Sequence, residues 1–231
     1  IHGAGIPVYS IATLEQIKRG FCEHRCYFNS CLLSALGMPV VIDYVPHWGN
    51  RSSTHSWNAL VLDGEAYPFE PFWDNDRWKY KLIYSNTVSD QYWGKLRLPK
   101  VFRKTYSITQ EGPVTDKNVN REDIPSLFRN LKMKDVSGQY FQTVNVKIKL
   151  TEEIPQKAAY CYLAVFGQQQ WHPIQWGKIS GDEVEFERMG CDVVYLPVYY
   201  VNGRISVAAD PFYIEPSGRI KKLIKSGEYI T

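Results

Sequence analysis

The sequence lacks any long apolar run, and nothing approaches the roughly 20 residues that a membrane-spanning helix needs, so no membrane span is expected in this chain. It also lacks a block of like charge. Lys and Arg total 27 against 24 Asp and Glu, and no basic stripe carries interleaved aromatics, so nucleic acid is not an expected partner. Cysteine is sparse and odd in number, at five, with no framework spacing, which argues against a disulfide scaffold. Internal repeats and low-complexity segments are absent. Metal-ligand spacing is thin. Cys22-x-His24-x-Cys26 could join His55 around zinc, but the second Cys or His pair of structural zinc sites is missing, so no metal and no cofactor are expected.

Aromatic side chains are abundant, with 16 Tyr and 7 Trp in an otherwise ordinary globular composition. That richness fits sheet packing first, and carbohydrate or peptide surfaces second. At 231 residues the chain suffices for one large or two small domains.

The stretch from Gly20 to Pro39 organises the rest. From Cys22 to Leu36, the residues Cys26, Tyr27, Phe28, Cys31, Leu32, Ala35 and Leu36 recur at three- and four-residue steps. This period predicts a helix with one buried face, closed by Gly37 and Pro39, with Cys26 and Cys31 in the core. Cys22 then falls in the first turn. Unpaired amides and the positive end of the helix dipole favour thiolate there. Buried structural cysteine is the plain alternative for a lone Cys22.

A nucleophile needs a base, and the base needs a third group to orient it. His55-Ser56-Trp57-Asn58-Ala59-Leu60-Val61-Leu62 reads as a strand, Asp63-Gly64 as a two-residue hairpin turn, and Glu65 to Glu70 as the returning strand. With that turn Leu62 faces Glu65, so Trp57 faces Glu70. His55 and Glu70 become diagonal cross-strand neighbours. Pro68 suggests an edge or a bulge in the returning strand. His47, Trp48 and Trp57 are further candidates for substrate or oxyanion contacts. The plainer reading of His47 and Trp48 is that they pack their own loop.

These segments resemble the transglutaminase-like superfamily. Gly20-x-Cys22, then Leu32-Leu33, then Ala35-Leu36-Gly37-Met38-Pro39, is similar to the signature around that family's nucleophile. His55-Ser56-Trp57 resembles its His-Ala-Trp, and Glu70-Pro71 stands where it usually has Asp-Pro, the glutamate being one methylene longer. The resemblance covers roughly residues 10–105. It implies a Cys22–His55–Glu70 triad on a papain-like core, with peptidase, amidase or transglutaminase outcomes.

The remaining segments set the expected domains. Thr13-Leu14-Glu15-Gln16 has a capping-box pattern for a short helix ending at Gly20, and Val40 to Val45 reads as a strand. Phe72 to Tyr106 is dense in aromatics and is expected to wrap the core as irregular structure. Residues 111–139 are turn-rich. Beyond them the pattern switches to period two, as in Val144 to Leu150, and seven or so short strands follow, including a hairpin at Asn202-Gly203. The expected class is α+β: a papain-like transglutaminase core in residues 1–110, a linker over 111–139, and an Ig-like all-β sandwich over 140–231.

The function expected on these grounds is a cysteine-nucleophile acyl enzyme acting through a thioester on a peptide or protein amide. The alternative is a catalytically degenerate surface module binding glycan or a cell-surface protein through its cleft and sandwich, where Trp171 and Trp176 could stack on sugar rings. A third reading is a structural fragment of a larger surface protein. The sandwich after the thiol core, and the start at Ile1 rather than Met, lead to an expectation of export to the periplasm or cell surface.

Overall fold

The computed structural model describes residues 10–69 and 96–223. Strand accounts for 40% of the structure and helix for 18%, nearly all the strands pairing antiparallel, so the fold is β-rich. This corrects the expected α+β class. A papain-like core needs a helical layer of its own. Here the two α-helices, α1 (Ile11–Ile17) and α2 (Cys22–Ala35), stand beside thirteen strands among the described residues.

The first sheet has the order β3-β2-β1-β4-β5 and is antiparallel throughout. Its strands are β1 (Val40–Val45), β2 (His55–Leu62), β3 (Glu65–Phe69), β4 (Phe102–Lys104) and β5 (Met133–Asp135). Asp63 and Gly64 both adopt positive φ, 51° and 83°, which is the tight turn that sets the hairpin register. Leu62 faces Glu65 and the ladder runs to Asn58 opposite Phe69. Glu70, the next position, lies outside the described residues, as does the aromatic stretch from Phe72 to Trp93.

Residues 111–139, expected as a linker, supply β5 to this sheet and place Ile124 and Phe128 in a buried cluster. That cluster also takes Phe102 from β4 and Tyr162, Ala164 and Val198 from the second sheet. The two sheets therefore share one apolar seam.

The second sheet has the path β13-β12-β10-β7-β8-β9-β6, with β11 paired to β10. Its strands are β6 (Val144–Lys149), β7 (Tyr160–Gly167), β8 (Gln170–Ser180), β9 (Glu183–Met189), β10 (Val193–Val201), β11 (Arg204–Val207), β12 (Phe212–Ile214) and β13 (Ile220–Lys222). They follow the period-two stretches of the sequence. An Ig-like sandwich would be two separate sheets, whereas this is one continuous sheet. The β8–β9 hairpin keeps only the pairs Ile179↔Val184 and Ser180↔Glu183. Val146, Val184 and Phe186 of β6 and β9 then share one core with Leu163, Val165, Ile174 and Tyr195.

The helices depart from expectation in detail. Ser10, not Thr13, caps α1, accepting from the Thr13 amide at 3.2 Å, and Lys18 in the left-handed region ends it. α2 ends as expected. Gly37 at φ 76° carries a Schellman closure, with Met38 N–H on Leu33 O and Gly37 N–H on Ser34 O, both 3.0 Å. Its buried residues are Cys26 and Asn29. Cys31, expected in the core, is exposed, as is Leu32. The helix touches the sheet along a narrower stripe than its apolar pattern suggests.

Candidate active site

Cys22 is the first helical residue of α2, directly after the N-cap Phe21. The first helical turn closes with Arg25 N–H on Phe21 O at 3.2 Å, so the amides of residues 22–24 precede the helical ladder. His24 Nδ1 accepts the Phe21 amide at 2.9 Å. The helix is pinned to the sheet by Asn58 in mid-β2. Its Nδ2 donates to Cys26 O at 3.1 Å and to Ser30 Oγ at 3.0 Å, while its Oδ1 accepts from Asn29 at 3.0 Å. Asn58 is 1% exposed, and a buried amide that makes its bonds fixes one docking of helix on strand.

This docking brings the half-buried Cys22 thiol into a hydrogen bond with the His55 side chain. Burial raises the thiol pKa. The His55 hydrogen bond and charge, and the backbone amides of Ser56 and Glu23, outweigh it and hold the thiol below its ordinary value. Opposed charges and donors around a partly accessible sulfur are what a nucleophilic cysteine needs.

His55 begins β2, opposite Val45 of β1. Its ring lies between two indoles, with Trp48 near-parallel at 6.2 Å and Trp57 tilted at 6.0 Å. Trp57 is fully buried, and its Nε1 donates to Tyr140 Oη at 2.9 Å. Tyr140 donates in turn to Asp43 Oδ2 at 2.6 Å, and Arg103 grips both Asp43 oxygens at 2.7 and 2.8 Å. Burial, then the Asp43 charge, pushes the Tyr140 phenol well above its usual range, so it stays a donor. This chain locks the indole that flanks His55.

The other named candidates take different positions. Trp48 is 4% exposed and supports the imidazole face. His47 is 3% exposed and stacks on His172 of β8 at 4.3 Å. Burial makes Trp48 and Trp57 packing neighbours of the imidazole rather than contact surfaces, and His47 a packing residue against the second sheet. Trp171 and Trp176 pack edge-on against Phe166 and Tyr160. Sequence reasoning missed the Asp43–Arg103–Tyr140 wiring and the Ser56 amide. A visible signal for the first was a charge in the middle of the apolar run Val40 to Val45.

Fold and site together define a β-rich protein with a thiol–imidazole pair at a helix N-terminus, and among the described residues no helix is long and apolar enough to cross a membrane. No protein-family model, no curated protein and no solved structure gives a significant match to the chain.

Proposed function

We propose that the protein is a cysteine-nucleophile acyl enzyme, with Cys22 as nucleophile, His55 as base and Glu70 as the group that orients the imidazole. The observation that supports this most is the hydrogen bond between Cys22 and His55, in a setting that holds the thiol below its ordinary pKa. Cys22 Sγ attacks an amide or ester carbonyl, and its proton passes to His55. The oxyanion faces the first-turn amides of α2, with the Cys22 N–H as the proposed donor. As the C–N or C–O bond breaks, His55 returns the proton to the leaving group. The thioester is then released to water, which His55 deprotonates. The transglutaminase-like motifs support the same chemistry through the Cys22 and His55 segments.

The test is the pH dependence of iodoacetamide alkylation of Cys22. Cys31 is exposed and would react too, so Cys31→Ser is the background. Wild type is expected to titrate below the roughly 8.5 of a free thiol, and His55→Ala to raise that value and slow alkylation at pH 6.5 by about tenfold or more. A thiol titrating at or above a free cysteine in both proteins would eliminate the pair as a catalytic unit.

A further inference from the structure

Two cavities flank the α2 N-terminus. One of about 570 Å³ lies between the end of α1 and the outer face of α2, lined by Lys18, Arg19, Phe21, His24 and Phe28. The other, of about 430 Å³, lies between the two sheets and includes Glu23 and Ser56 in its lining. Those two residues supply the amides that bind Cys22 Sγ. They are also the chain neighbours of Cys22 and His55, so the second cavity lies beside the thiol–imidazole pair, and its size falls in the range of ligand clefts.

We infer that this cleft receives the side chain next to the reacting carbonyl, and that it selects an uncharged apolar one. The inference rests on the acyl-enzyme reading of Cys22 and adds its substrate class. The walls carry Pro46 from the loop before His55, Leu127 from residues 126–129, and Pro173 of β8, with Ile174 buried behind. The charged residues of the lining, Glu23 and Lys104, form an ion pair with each other, and Lys104 also donates to Tyr27 Oη at 2.9 Å. A charged side chain entering the cleft would lose its water and gain no free counter-charge among the described residues of the lining. The His172 ring is held by the second sheet, its Nε2 bonded to the Gly167 carbonyl at 2.9 Å and its face stacked on His47. Thr54, Ser56, Ser126 and Asn130 remain as uncharged polar groups along an extended peptide backbone. The second sheet thus contributes to substrate selection through β8.

The test compares acetyl-leucine chloromethyl ketone with its glutamate and lysine counterparts, reading Cys22 alkylation by mass spectrometry in the Cys31→Ser background, with iodoacetamide as the side-chain-free control. The leucine reagent is expected to react roughly tenfold or more faster than the charged ones after normalisation to iodoacetamide-type reactivity. Leu127→Trp, which fills the cleft, should erase that advantage when each rate is normalised to the same variant's iodoacetamide rate. Ser126→Trp, at an exposed position on the same wall, gives the same reading should Leu127→Trp not fold. Equal rates for the three reagents, a preference for a charged one, or an advantage that survives both tryptophans would overturn the assignment. In the protein without either tryptophan, absence of discrimination with a fast iodoacetamide reaction refutes the cleft alone. An iodoacetamide rate typical of an ordinary thiol refutes the acyl-enzyme reading, and the cleft assignment with it.

Discussion

Cys161, on β7 of the second sheet, has no exposed surface and sits among Leu163, Val165, Ile174 and Tyr195. Burial pushes its thiol up to about 12. Cys22, on the helix that covers the first sheet, is also taken partly out of water, yet its thiol is held below the ordinary value. The difference is the neighbours. Both sulfurs meet backbone groups, of Tyr162 and Val198 at Cys161 and of Ser56 and Glu23 at Cys22, but Cys161 is otherwise packed in hydrocarbon while Cys22 has an imidazole beside it. The contrast extends beyond the thiols. The first sheet holds Asp43 with Arg103 and Tyr140 in one set of hydrogen bonds and Asn58 with α2 in another, whereas the core cluster of the second is almost wholly apolar. One region is built to hold polar groups at fixed positions, the other to be stable.

The largest expected effect breaks that contrast at the sulfurs. Cys22→Ala should lower acyl-transfer turnover on the order of 10³-fold or more and remove the alkylation that proceeds below pH 8. Cys161→Ala should leave both untouched and cost only packing, read as a lower urea midpoint. Comparable loss of turnover in both variants would mean that the thiol environments do not separate function from structure.

The second effect concerns the polar interior. Asp43 has no exposed surface and is gripped at both oxygens by Arg103. Asp43→Ala leaves the guanidinium and the Tyr140 hydroxyl without their partner, and should cost about 3–5 kcal/mol of unfolding free energy. It should also slow Cys22 alkylation, because the Trp57 ring that flanks His55 loses its anchor. Lys147→Ala, which removes an exposed ion pair with Glu183 on the second sheet, is the matched control and should change neither quantity measurably. An unchanged alkylation rate in Asp43→Ala would show that the wiring serves the fold alone.

Strand positions were legible because alternation and turn chemistry are local. The Asp63-Gly64 turn sets the register of β2 against β3 as far as Phe69, and the strands of the second sheet fall on the stretches expected as strands. Fold class was not legible. The β5 strand at 133–135 is three residues long inside a turn-rich stretch, and its place beside β4 depends on pairing with Phe102 to Lys104, which no local pattern reveals. Cys22 and His55 were found as separate motifs. What could not be read was that the Ser56 amide reaches the sulfur, or that Tyr140, 83 residues away from Trp57, holds its indole. The exposure of Cys31 escaped for a related reason. A three- and four-residue period marks an apolar stripe, but only part of that stripe, around Cys26 and Asn29, is buried.

The smallest effect tests the seam where the two regions meet. His47 belongs to the loop between β1 and β2, and His172 to β8; their rings stack at 4.3 Å. His47 Nδ1 donates to Trp48 O at 2.9 Å, which leaves Nε2 as a bare acceptor, and that atom is buried without a partner. It lies against Gly167, where a Cβ would approach it within 2.5 Å. Protonation would bury an unpaired N–H and a positive charge. Burial accordingly lowers the His47 pKa, outweighing the raising effect of its bond to Trp48, and His172 adds a smaller lowering effect. The folded protein then binds fewer protons at this ring than the unfolded chain, whose value is about 6.5. Stability contributed by neutral His47 is full above that value and is lost as pH falls through the folded one. The urea midpoint of wild type should therefore decline between pH 7 and pH 5, and His47→Gln, which cannot titrate, should decline less steeply by up to about one proton's worth of slope. If the two proteins lose stability in parallel over that range, the stacked pair has no part in coupling pH to the seam.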